Sequence, residues 1–186
     1  PLPPDEQDAL DQAEAVAGAL RRLGSEVVVL GASLDFRALA SALAESCPAA
    51  VFNLVASLDG QGRFAHLAPA FLETLGIPYT GCSAAALHAT TDKLVAKQRL
   101  AAAGVPTPAW LAPHAGVGGD PVASHRWILK PVSEDASIGL DAGAVIHATD
   151  SAALGAALEQ RAAAVGRELF AEAFVDGREI RIALLA

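Results

Sequence analysis

The chain has 186 residues, 53% of them hydrophobic, with a formal net charge of −8. That composition fills a core of one or two domains and excludes disorder, and the acidic balance argues against a nucleic-acid surface, which needs a basic face. There is no apolar run of the roughly 18 residues that spans a membrane, and no secretory leader pattern at the start of the sequence.

Cys47 and Cys82 stand far apart without a C-x-x-C pair, which favours neither a zinc site nor a disulfide framework and suits a reducing cytoplasm. Both read as small buried hydrophobes. Arginine outnumbers lysine 10 to 3, and Lys93, Lys97 and Lys130 fall in one window. In a chain that prefers arginine, a retained lysine hints at a site wanting a compact point charge.

Leu10, Ala13, Val16, Ala17 and Leu20 recur at helical spacing, predicting a helix over 8–23 closed by Gly24. Val27 to Leu30 is a continuous apolar run, the mark of a strand buried on both faces. A second helix covers 36–43, a second buried strand covers 50–55, and a helix over 64–75 ends at Gly76. Strand and helix alternate with tight connections, which predicts an open, mostly parallel α/β sheet for residues 1–88. Such sheets bind ligands beyond the carboxyl ends of their strands.

A short helix over 83–88 precedes a longer one, with Thr90 or Thr91 as N-cap and Gly104 as C-cap. Lys93 falls in the first turn of that helix, where a cation opposes the dipole. A phosphate at the helix start reverses that sign. Lys97 lies one turn on and reads as part of a solvated face. Residues 115–124 form a glycine-rich link too irregular for a dinucleotide fingerprint.

Trp127 to Leu129 reads as a strand that delivers Lys130 to its end, where Pro131 stops it. A polar loop then closes on Gly139. Taken alone, the stretch favours an ordinary solvated lysine over a phosphate ligand. A strand over 144–147 and a helix over 151–165 follow, capped by Asp150 or Ser151. Two alternating runs, 168–175 and 178–185, flank Asp176-Gly177, a strong hairpin signal that sets Glu172 opposite Arg181 as a cross-strand ion pair.

Five segments together resemble the D-alanine–D-alanine ligase branch of the ATP-grasp superfamily: Leu75-Gly-Ile-Pro-Tyr-Thr-Gly81, Thr91-Asp-Lys-Leu-Val-Ala-Lys97, Ala103-Gly-Val-Pro-Thr-Pro108, Lys130-Pro131 with Ala136-Ser-Ile-Gly139, and Glu172-Ala-Phe-Val-Asp-Gly-Arg-Glu179. The resemblance implies a pre-ATP-grasp, Rossmann-like domain over 1–88 and a mixed α+β central ATP-grasp subdomain over 89–171. It makes 172–186 the first strand of a further subdomain, with sequence missing at both ends. It implies that Lys93 and Lys130 reach ATP phosphates and that Ser137 and Gly139 lie in the phosphate-covering loop, with Lys130 and Ser137 the catalytic candidates. Glu172 and the backbone at Ala173 and Val175 match the adenine edge, and Glu179 the ribose acceptor.

The implied chemistry is phosphorylation of a carboxylate by ATP and attack of an amine on the acyl phosphate, for peptidoglycan precursors. The partners are amino-acid or amine substrates; the cofactors are ATP and Mg²⁺, with the metal ligands expected outside this sequence. The expected location is the cytoplasm, without a nucleic-acid or membrane partner, and the resemblance is compatible with a homodimer. Alternatives are a ligase of different amino-acid or amine specificity and an inactive nucleotide-binding fragment. The departures lie on the substrate side: Val55-Ala-Ser-Leu-Asp-Gly-Gln-Gly62 has no histidine, and Asp135 and Ala136 stand where the family has glycine and serine.

Overall fold

The computed structural model describes residues 4–112, 116–118, 126–134, 140–180 and 182. It forms two compact units, Pro1–Thr91 and Asp92–Ala186.

The first unit is largely helical: α1 (Pro4–Arg22), α2 (Phe36–Ser46), α3 (Leu67–Leu75) and α4 (Ala84–Thr91), with a 3₁₀ turn at Gly62–Phe64. The α1 periodicity buries Ala17, and Asp35 caps α2 by accepting from the Ala38 N–H at 3.0 Å. Phe36 and Phe71 join α2 to α3, with ring centroids 5.0 Å apart. The Glu73 carboxylate at the end of α3 accepts from Tyr79 Oη at 2.5 Å and from the Ala84 N–H at 3.0 Å, tying α3 to α4.

Three expectations for this unit change. Residues 27–30 lie in irregular backbone, with Val28 and Val29 more than half exposed. An apolar run becomes a strand only when another backbone completes its ladder, and no described backbone pairs with this one. Residues 50–55 contribute a single parallel bridge, Val51 to Tyr79. Both cysteines are exposed, not buried. Cys47 takes the left-handed position that closes α2, at φ 44°, which turns it off the helix's buried stripe.

The second unit is a mixed α/β layer structure. Its five strands are β1 (Trp110–Ala112), β2 (Gly116–Gly118), β3 (Arg126–Pro131), β4 (Val145–His147) and β5 (Leu169–Ala173), in the order β2-β1-β5-β3-β4, every neighbour antiparallel. Two helices accompany the sheet, α5 (Lys93–Ala102) and α6 (Ser151–Val165).

Alternation along β5 separates the two faces. Leu169 and Ala171 join Trp127 and Leu129 under Leu154 and Leu158 of α6. Phe170 joins Trp110, Ala112 and Val132 on the other face, where Leu94 of α5 packs. Asp150 caps α6 by accepting from the Ala153 N–H at 2.8 Å, and Gly166 closes it at φ 69°.

The expected hairpin at Asp176-Gly177 does not form over the described residues. β5 is the central strand, and both its edges are taken: Glu172 lies opposite Trp110 of β1 and opposite Ile128 of β3. No edge remains for 178–180, which run irregular and exposed; Arg181, the expected partner of Glu172, lies outside the described residues. The glycine-rich link also departs from expectation, since Gly116–Gly118 pairs with β1 as an edge strand.

Candidate nucleotide-facing site

The α5 face of the sheet carries the charged site. β3 alternates, so Ile128 and Lys130 share that face, and Lys130 stands diagonally from Glu172 across the β3–β5 pair. Lys97 comes from α5, three residues beyond Leu94, so packing of Leu94 brings Lys97 over the same face.

The three side chains meet. Lys97 Nζ donates to Glu172 Oε1 at 2.5 Å and to Thr107 Oγ1 at 2.8 Å, and lies 5.0 Å from the Trp110 ring centroid. Lys130 Nζ donates to Glu172 Oε2 at 2.5 Å. Lys97 is 5% exposed, whereas the Lys130 side chain keeps 29% of its surface in solvent. Burial pushes the Glu172 carboxyl up; the hydrogen bonds from Lys130 and Lys97 pull it down, and the balance lies below the ordinary glutamate value. Two ammonium groups share one carboxylate, so one positive charge in the trio is uncompensated.

Lys93 opens α5 and reaches the segment that follows β3. Its Nζ donates to the Glu134 carbonyl at 2.5 Å, and the Glu134 carboxylate is itself paired with Arg167. The N-cap is Asp92, not Thr90 or Thr91: α4 extends through Thr91, and the Asp92 carboxylate accepts from Leu94 and Val95 N–H at 2.9 and 3.0 Å. The Lys93 N–H donates to the Val132 carbonyl at 3.0 Å. The first N–H groups of α5 are therefore occupied, and the helix start is no phosphate cradle. The carboxylate at the cap also offsets the first-turn cation.

The predicted residues thus divide. Lys130 and Glu172 are in direct contact. Lys93 lies on α5 one turn before Lys97. The Ala173 N–H donates to the Ala109 carbonyl at 2.8 Å within the sheet. Val175 and Glu179 lie on the exposed irregular segment beyond β5. Ser137 and Gly139 lie outside the described residues.

The residue that sequence reasoning misplaced is Lys97, read as solvated and found buried. Its signal was its membership of the three-lysine set. Thr107 and the Glu134–Arg167 pair carried no signal. Among the described residues no cluster of three histidine, cysteine or acidic side chains is placed to hold a metal, and no helix is long and apolar enough to cross a membrane.

No family model matches the chain. An uncharacterised protein of Sinorhizobium fredii, y4sG, is 31% identical over 190 residues, covering 100% of this chain and 55% of its own length. The D-alanine–D-alanine ligase of Erythrobacter litoralis is 31% identical over 182 residues, covering 95% of this chain and 53% of the ligase. That of Cereibacter sphaeroides is 32% identical over 178 residues, with 95% and 53% covered. Among solved structures, the Bacillus anthracis D-alanine–D-alanine ligase complexed with ATP aligns at 25% identity over 59% of this chain and 36% of its own, with a TM-score of 0.43. The Helicobacter pylori enzyme aligns at 20% identity over 69% and 39%, with a TM-score of 0.47. The chain spans about half the length of the curated relatives it matches. Over 95% of its length the chain is similar to relatives of that name, the D-alanine–D-alanine ligases.

Proposed function

We propose that this chain supplies the nucleotide-facing part of an ATP-dependent carboxylate–amine ligase that joins D-alanine units for peptidoglycan precursors in the cytoplasm. The observation that carries the proposal is the Lys97–Glu172–Lys130 trio, a surplus positive charge on one sheet face of a chain whose net charge is −8. A part-exposed lysine beside a compensated carboxylate is suited to bind phosphate. Charge-assisted hydrogen bonds of this type contribute about 1.5–3 kcal/mol each.

In this reading Lys130 and Lys93 bind the ATP phosphates, and Ser137 and Gly139 belong to the loop that covers them. Glu172, with the backbone at Ala173 and Val175, borders adenine, and Glu179 accepts from the ribose hydroxyls. Residues 1–88 are the pre-ATP-grasp domain, 89–171 the central ATP-grasp subdomain, and 172–186 the start of the next. The described donor set fits ATP phosphates and offers no cage for Mg²⁺. What the chain's own residues do is hold and neutralise the phosphates, which is the larger part of catalysing phosphoryl transfer.

A second reading is a ligase of the same mechanism for a different amino acid or amine. It is favoured by the tight turn Leu58–Gln61, which closes on itself with Asp59 at φ 50° and Gly60 at φ 68° and has no histidine. A chimera decides between the two: this chain replaces the matched half of the Erythrobacter litoralis ligase, and ATP-dependent phosphate release is scored against an amino-acid panel. Release with D-alanine supports the first reading, and release with another amino acid alone selects the second. A chimera that folds but neither binds ATP nor releases phosphate contradicts both.

A further inference from the structure

Glu172 holds two cations whose circumstances differ. Lys97 is enclosed, with Glu172, Thr107 and the Trp110 ring as its surroundings. Lys130 has Glu172 as its hydrogen-bond partner among the described residues and remains part-exposed. A carboxylate on a buried sheet face cannot be left without a counter-charge at small cost. If only Lys130 neutralised Glu172, any phosphate that recruited Lys130 would strand that carboxylate. With Lys97 in place, Glu172 stays paired when Lys130 turns to a new anion.

We infer that Lys97 is a positioning residue: it holds Glu172 permanently, so that Lys130 is the exchangeable cation that transfers from Glu172 to a nucleotide phosphate. The inference rests on the nucleotide reading above and adds a division of labour between the two lysines. It does not require Lys97 to touch nucleotide. The charged groups facing Glu172 among the described residues are Lys97 from α5 and Lys130 from β3, while β1 presents the neutral Trp110.

The test is ATP affinity by titration calorimetry on the 186-residue chain at pH 8, each variant compared with the unsubstituted chain. Lys97→Met should weaken ATP about tenfold at pH 8, because Lys130 is then the sole partner of Glu172. Lys97→Arg should restore part of the affinity, and in a Glu172→Gln background Lys97→Met should change affinity little. A loss equal in both backgrounds, or no loss, overturns the inference.

A second readout needs no substitution. The chain has three lysines, so its ε-ammonium NMR spectrum carries three side-chain signals. On adding ATP, the Lys130 signal should move and the Lys97 signal should keep its place; equal movement of both also overturns the inference. Failure of the unsubstituted chain to bind ATP, or a Lys130→Met variant that binds it equally well, instead overturns the nucleotide reading and the inference with it.

Discussion

At Glu172, two short ion pairs work against burial, and the pairs prevail: the carboxyl sits below the ordinary glutamate range. A carboxyl whose folded-state value lies below its unfolded one stabilises the fold at neutral pH. That stability is lost as pH falls through the folded value. Glu172→Gln should therefore flatten the acid limb of the stability–pH curve. At neutral pH it should cost about 3–5 kcal/mol, because Lys97 is left buried without its counter-ion. Urea denaturation of both forms at several pH values measures this, and parallel acid limbs would contradict it. The two contributors were unequally visible beforehand. Lys130 stands at the end of an apolar run before a proline, a pattern that sequence shows directly. The Lys97–Glu172 pair spans 75 positions, and burial of Lys97 follows from how α5 lies on the sheet, which no local pattern encodes.

At the scale of elements, α6 is held by a stop signal at each end and by a buried stripe. Leu158 is 1% exposed within the cluster that joins α6 to β3 and β5. Leu158→Ala should cost about 2–5 kcal/mol through lost transfer energy and the cavity left behind, read as a lowered denaturation midpoint with an unchanged slope. A change under about 0.5 kcal/mol, the range of surface substitutions, would remove α6 from the core.

The same helix was legible from its sequence, because Asp150 and Gly166 act locally. β2 was not. Its Gly116 and Gly118 disfavour a strand, and backbone pairing with β1 makes the stretch one. The Asp176-Gly177 turn was misread for the opposite reason. Its local signal is strong, but the sheet had already used both edges of β5. Among the described residues the apolar run 27–30 lacks a partner for its ladder, and apolarity alone does not make a strand.

Across the whole chain, the two units differ in how much of their order the sequence revealed. The second unit has an antiparallel five-stranded sheet with one helix cluster on one face and the lysine–glutamate trio on the other. The first keeps its expected helices but, among the described residues, contributes a parallel bridge where a sheet was read. The family likeness spans both units, since relatives align over 95% of the chain. The proposed nucleotide chemistry, by contrast, concentrates on one face of the second unit. A chain of net charge −8 repels ATP in general, so binding must come from local charge. The most direct measurement is the ATP affinity of the chain before and after Lys130→Met, by titration calorimetry. Loss of one charge-assisted contact predicts a drop of about 10- to 150-fold, and an unchanged affinity would contradict the account.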